Sequence, residues 1–262
     1  MARFCSLFSG SSGNCIYVGT ATAGILIDAG VSARRMERAL TDRGLNPAAV
    51  KAIFVTHEHT DHTAGLRVFQ KRYHTPVFAS AGTRHGLVES GALLSLEDCE
   101  VIKNTVELDD FSVTSFRTSH DSLESNGFCI TLADDRRVGI ATDLGIMTDT
   151  VREHLLGCDL IHIESNHDIR MLENGPYPYP LKRRVLSLTG HLSNDACAAE
   201  LPVLVQNGTT RISLGHLSRE NNLPMLASET SKERLQSAGM CENRDYLLDV
   251  APPENQNPYV LF

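Results

Sequence analysis

The chain has 262 residues, 42% of them hydrophobic and 21% charged, enough to bury one large core, so a single α/β domain over 1–262 is expected. Its net charge of −8 rules out a strongly basic nucleic-acid-binding module, although two divalent cations would reverse the sign locally wherever they bound. The seven cysteines (Cys5, Cys15, Cys99, Cys129, Cys158, Cys197 and Cys241) are odd in number and never spaced Cys-x-x-Cys. They argue against a disulfide scaffold and, with no secretory apolar segment and no membrane-length window, for a cytoplasmic protein.

In chain order, 15–18 and 25–28 read as short β-strands joined by a turn, the second ending on Asp28. Ser32 caps a helix to about Arg43, which Gly44 stops. The apolar, partly β-branched run Ala52-Ile53-Phe54-Val55 reads as a buried strand. A helix over 63–73, a strand over 77–79 and a helix ending at Ser90 follow. Strands are predicted over 111–118, 127–133 and 137–142, then a helix over 149–156 and a strand over 160–163. The stretch 166–180, rich in Pro, Asn and Gly, is too long for a routine connection and is a candidate functional loop. Helices over 181–188, 193–206 and 222–238 and strands over 211–214 and 246–250 complete the chain. Strands interleaved with helices in this way suggest two sheets flanked by helices.

The chemistry gathers where strands end. Thr56-His57-Glu58-His59-Thr60-Asp61-His62 leaves the carboxyl end of strand 52–55 carrying three imidazoles and a carboxylate within six residues. His120, Asp143 and His216 each follow another apolar run by one to three residues, where open α/β sheets tend to place their sites. His57, His59 and His120 could supply three neutral imidazoles to one metal, and Asp61, His62 and His216 mixed N and O ligands to a second, with Asp143 bridging both. The cluster is not a zincin helix, because Asp61 stands four residues after His57.

His57-Glu58-His59-Thr60-Asp61-His62, followed in order by His120, Asp143 and His216, resembles the five-part signature of the metallo-β-lactamase fold, with Asp28 at the position of its first, structural aspartate. More narrowly, Ser9-Gly10-Ser11-Ser12-Gly13-Asn14, Glu164-Ser165-Asn166-His167-Asp168, Gly190-His191-Leu192-Ser193-Asn194 and the run from Gly215 to Asn222 resemble the YycJ/WalJ group of metal-dependent hydrolases. The resemblance covers essentially the whole chain. It implies an α/β four-layer αββα sandwich and a dinuclear site holding two divalent metal ions. It also implies phosphodiester hydrolysis, with 5′-to-3′ DNA exonuclease activity attributed to the group. Glu164 and His191 are similar to the ribonuclease Z pair in which a glutamate orients a histidine that protonates the leaving oxygen. Independently, His191 sits just before a helix capped by Ser193 or Asn194, beside free N–H groups that suit phosphate. A carboxylate partner would favour the imidazolium that donates the proton.

The expected mechanism uses a metal-bridging hydroxide as nucleophile, Asp143 to hold the metals in register, and Asp61, His191 and Glu164 as the catalytic set. Zn, Mn and Fe all suit such ligands, and the expected partner is a nucleic acid, DNA before RNA. Competing readings are a thioesterase or lactonase of the glyoxalase II type, a ribonuclease Z-like RNA endonuclease, and a non-catalytic metal-binding protein. Of the remaining residues, His162 reads as a satisfied core histidine and His74, His85 and His154 as solvated. His167 and Asp168 lie where substrate contact is permitted but not demanded. Arg34-Arg35 and Lys182-Arg183-Arg184 are the basic clusters best placed to meet a polyanion, and Arg136-Arg137 reads as structural.

Overall fold

The apolar runs condense into two β-sheets of seven strands each, in a computed structural model that describes residues 1–262. The first sheet takes, in chain order, β1 (Arg3–Phe8), β2 (Cys15–Gly19), β3 (Gly24–Ile27), β4 (Val50–Phe54), β5 (Val77–Ala79) and β6 (Glu100–Val101). The second takes β7 (Thr105–Leu108), β8 (Phe111–Arg117), β9 (Asn126–Leu132), β10 (Arg137–Ala141), β11 (Leu160–Glu164), β12 (Arg211–Gly215) and β13 (Leu247–Val250). The last strand, β14 (Val260–Leu261), returns to pair with β1.

Because side chains alternate along a strand, each sheet has an inner and an outer apolar face. Phe4, Ile16, Ile25, Phe54, Phe78, Phe128, Ile130 and Ile140 form one core between the sheets, where Phe54 stacks on Phe78 at 5.1 Å and meets Phe128 edge-on at 5.7 Å. Outside the first sheet, Leu7, Leu26, Ile53 and Val55 pack under α1 (Ala33–Thr41), α3 (Leu66–Tyr73) and α4 (Ala81–Glu89) through Met36, Leu40, Phe69 and Leu87. Outside the second, Ile161, Ile163, Ile212 and Leu214 pack under α5 (Asp149–Leu155), α8 (Asn194–Gln206) and α9 (Pro224–Ser237). The result is the expected αββα sandwich. Truncating a residue at its centre, such as Phe54→Ala, should cost about 3–5 kcal/mol.

Several boundaries differ from the sequence reading. β1 was not expected, since Phe4 to Phe8 is short; its residues nonetheless divide between the inner and outer cores. The short strands β6, β7 and β14 also carry little periodicity. The helix expected over 63–73 is two, α2 (Thr60–Thr63) and α3, because the Gly65 N–H leaves the helical ladder to donate to the Ala29 carbonyl at 2.8 Å. The candidate loop 166–180 contains α6 (Ile169–Asn174), and α7 (Tyr179–Val185) replaces the helix expected over 181–188.

Candidate metal centre

β3 runs parallel to β4, and β10, β11 and β12 run parallel to one another, so their carboxyl ends lie along one rim of the sandwich. From that rim Asp28 follows β3, the His57 to His62 run follows β4, Asp143 follows β10, Glu164 ends β11 and His216 follows β12; His120 arrives from the loop after β8. Asp28, Asp143 and His216 all hold positive φ, at 65°, 56° and 54°. Left-handed backbone at residues other than glycine is costly and is kept where surrounding structure imposes it. Asp61 and His62 sit on the short α2, pulled into place by a close backbone approach: a Cβ on Gly30 would lie 1.7 Å from the Asp61 carbonyl oxygen.

The predicted ligands converge. Ligand atoms of His57, His59 and His120 lie within 4.8 Å of one another, as do those of Asp61, His62 and His216, and those of His57, His62 and Asp143. Asp143 faces both groups: Oδ2 is 3.4 Å from His62 Nε2, and Oδ1 is 3.8 Å from His120 Nε2. His57, His62, Asp143, His120 and His216 are buried, whereas His59 and Asp61 are half-buried.

The hydrogen-bond network fixes the tautomers. His62 Nδ1 donates to Asp28 Oδ2 at 2.7 Å, His120 Nδ1 to the Gly190 carbonyl at 3.2 Å, and His216 Nδ1 to Glu164 Oε1 at 2.7 Å. Thr56 Oγ1 donates to Asp28 and so accepts from His57 Nδ1 at 3.0 Å. Each ring is left with its Nε2 lone pair turned toward its neighbours, the arrangement by which outer hydrogen bonds orient metal-ligating histidines. His57 Nε2 and His59 Nδ1 stand 3.1 Å apart. His216 Nε2 and Asp143 Oδ2 are buried without a hydrogen-bond partner. Buried polar atoms left unpaired are costly, and divalent cations would satisfy them, so the donor set fits metal ions. Burial alone would pull His62 down, but Asp28, Asp143 and Asp61 outweigh it and hold the metal-free imidazole up at about 9.

Glu164 is fully buried yet serves four donors. Oε1 accepts from Nδ1 of both His191, at 2.8 Å, and His216; Oε2 accepts from the backbone N–H of Leu144 at 3.0 Å and Leu192 at 3.1 Å. Burial works against its charge, but the two imidazoles hold the carboxyl well below the usual range. Burial likewise opposes the His191 imidazolium, and Glu164 overcomes it, raising that ring above its ordinary value.

Other expectations fare unevenly. His162 is buried, with Nδ1 on Ser213 Oγ at 2.9 Å, a satisfied core histidine. His74 and His85 are exposed, and His154 is half-buried, one face of its ring stacked on Phe116 at 4.9 Å because α5 lies against the second sheet. His167 is buried with neither ring nitrogen hydrogen-bonded, and Asp168 caps α6 through the Met171 N–H. Arg35 pairs with Glu254 at the surface, and Arg136 and Arg137 both engage Asp159, which makes Arg136-Arg137 structural as expected. Sequence reasoning missed Asn14, whose Nδ2 lies 3.0 Å from His62 Nε2, Ser9, whose Oγ accepts from the His216 N–H, and Asp121, 3.4 Å from His120 Nε2. Ser9 and Asn14 bracket the glycine-serine run already noted, the one signal that could have pointed to them.

The sequence profile of the metallo-beta-lactamase superfamily matches residues 9–216, from the Ser9 that braces His216 to His216 itself. The chain belongs to the metallo-beta-lactamase superfamily. Within it, the chain is 34% identical over 239 residues to exodeoxyribonuclease YycJ of Bacillus anthracis, covering 90% of each chain. It is 32% identical over 260 residues to exodeoxyribonuclease WalJ of Streptococcus pneumoniae, covering 98% of this chain and 96% of that protein. The crystal structure of the metallo-beta-lactamase fold protein YhfI from Bacillus subtilis superposes with a TM-score of 0.70 over 97% of each chain at 15% identity, a likeness of fold alone.

Proposed function

We propose that the chain is a dinuclear, divalent-metal-dependent phosphodiesterase that degrades DNA as a 5′-to-3′ exonuclease, acting as one domain over 1–262. The observation that carries this reading is Glu164 joined at once to His216 and His191: one carboxylate orients a candidate metal ligand and charges a candidate general acid. The two relatives named exodeoxyribonucleases, which the chain matches almost end to end, support DNA as the substrate.

When bound, two divalent cations, Zn, Mn or Fe, supply Lewis acidity at a phosphate oxygen and a water of lowered pKa. His57, His59 and His120 would hold one, Asp61, His62 and His216 the other, and Asp143 would keep the two ligand sets in register. His191 uses Nδ1 on Glu164, which leaves Nε2 to donate a proton to the departing oxygen. The backbone N–H groups of His191, Leu192 and Asn194 are already bonded within the protein, so the support for a phosphate ester over a neutral ester or thioester is the raised basicity of the His191 ring. No helix is long and apolar enough to cross a membrane, and all seven cysteines are free thiols, which supports a reducing, cytoplasmic setting.

The test is to incubate the protein, its metal content measured, with end-labelled single- and double-stranded DNA and RNA. Release of mononucleotides from the 5′ end of DNA is expected. Inertness toward every nucleic acid together with hydrolysis of a thioester would overturn the reading in favour of a glyoxalase II-like enzyme, and internal cleavage of RNA in favour of a ribonuclease Z-like one.

A further inference from the structure

Beside the metal centre, between α7 and the turn after β12, lies a recess of about 140 Å3 whose wall includes His191, His216, Arg184, Tyr177 and Ser218. Arg184 is the cation of this recess, and its position is fixed. Its Nε and Nη2 both donate to the Asp121 carboxylate, Nη2 to Oδ1 at 2.9 Å. The Asp121 N–H in turn donates to the Thr189 carbonyl at 3.0 Å. The end of α7 is bonded to the segment that carries His191, through His191 N–H to the Val185 carbonyl at 2.9 Å and Gly190 N–H to the Ser187 carbonyl at 2.9 Å. The contact is so close that a Cβ on Gly190 would lie 2.2 Å from the Arg184 carbonyl oxygen. Since Gly190 also accepts from His120, the guanidinium, the candidate acid and one candidate metal ligand share a single rigid wall.

A guanidinium carries five N–H groups in a planar fork. Asp121 occupies the Nε–H and one hydrogen of Nη2, and Nη1 has no acceptor in the protein. An open edge on a half-exposed arginine, held side-on by a carboxylate, is suited to bidentate capture of a phosphate. Which phosphate follows from the direction of cleavage. If His191 protonates the leaving oxygen and the remaining strand keeps a 5′-phosphate, that oxygen is O3′ of the departing nucleotide. The departing nucleotide then lies on the His191 side, in this recess. The next phosphate along it is its own 5′-phosphate.

Resting on the proposed function, we infer that Arg184, positioned by Asp121, grips the 5′-phosphate of the terminal nucleotide in this recess and makes a phosphorylated DNA end the preferred substrate. Asp121 is a positioning residue here, acting through the fork it holds.

The experiment compares kcat and KM on oligodeoxynucleotides identical but for a 5′-phosphate or a 5′-hydroxyl, for the parent and for Arg184→Ala, Arg184→Lys and Asp121→Asn, each with metal content measured. The parent should prefer the phosphorylated end by roughly ten- to a hundredfold, mainly in KM, the scale of one charge-assisted contact. Arg184→Ala should bring that ratio close to one, Arg184→Lys should restore part of it as a point charge without the fork, and Asp121→Asn should fall between parent and Arg184→Ala. A purely structural role would slow both substrates together and leave the ratio intact, which would overturn the inference, as would a parent indifferent to the 5′-phosphate while degrading DNA. A parent that releases no mononucleotides from any DNA end would instead overturn the proposed function, and this inference with it.

Discussion

His191 Nδ1 donates to Glu164 Oε1 at 2.8 Å, and the same oxygen accepts from His216 Nδ1 at 2.7 Å, so the candidate acid and a candidate metal ligand answer to one buried carboxylate. His191→Ala removes only the acid. Turnover should fall by roughly 10²- to 10⁴-fold with metal stoichiometry unchanged, measured by steady-state kinetics and metal analysis. Loss of metal in this variant would make His191 a ligand. Glu164→Gln should do both kinds of harm, lowering turnover and weakening metal binding by roughly 10- to 100-fold through the misdirected His216 ring.

Asp143 reaches both imidazole sets: Oδ2 is 3.4 Å from His62 Nε2, and Oδ1 lies 3.4 Å from His216 Nδ1 and 3.8 Å from His120 Nε2. Asp143→Ala should abolish phosphodiester hydrolysis and reduce the bound metal below two ions per chain. Parent-like cleavage by this variant would show that the two ligand groups need no shared carboxylate.

Asp28 lies behind the ligands, where it takes His62 Nδ1 at 2.7 Å and two donors of Thr56. Asp28→Asn cannot accept from all of them, so His62 loses its fixed tautomer. Metal affinity should drop by roughly 10- to 100-fold, read by competition with a chromogenic chelator. An unchanged affinity would leave Asp28 with a role in the fold alone.

His62 is held at about 9 before metal binds, and Asp143 with other acceptors overcomes burial to raise His216 well above its ordinary value. Both rings must give up a proton when Nε2 takes a cation, so metal affinity should rise with pH up to about 9 and fall as pH drops below it. Calorimetric titration of the metal-free protein at pH 7 in two buffers of different ionisation enthalpy should show net proton release. Equal heats in both buffers would refute this.

His162 behaves oppositely. Burial drives its folded-state pKa down to about 3, against about 6.5 in an unfolded chain. Between those values the unfolded chain binds a proton that the folded one refuses, so stability is lost as pH falls from 6.5 toward 3. At pH 5 that amounts to about 2 kcal/mol. His162→Gln should flatten the pH dependence of urea unfolding between pH 7 and 5; identical slopes in parent and variant would remove His162 from the account.

The sequence by itself determined the two sheets flanked by helices and the group of candidate ligands at their strand ends, because both are written in local patterns. Apolar runs such as Ala52 to Val55 specify buried strands from their own periodicity, and ligands that follow such runs must emerge at a strand end, where parallel sheets collect them. Tertiary structure decided what local pattern cannot encode. That Glu164 serves two histidines, that Ser9 braces His216 across 207 positions, and that Asp121 holds Arg184 from another loop depend on how distant segments pack. So does the short strand β1, whose alternation acquires meaning only once cores exist on both its faces. Hydrophobic periodicity is a property of neighbours along the chain, whereas hydrogen-bond partners are chosen by geometry that only the completed fold supplies.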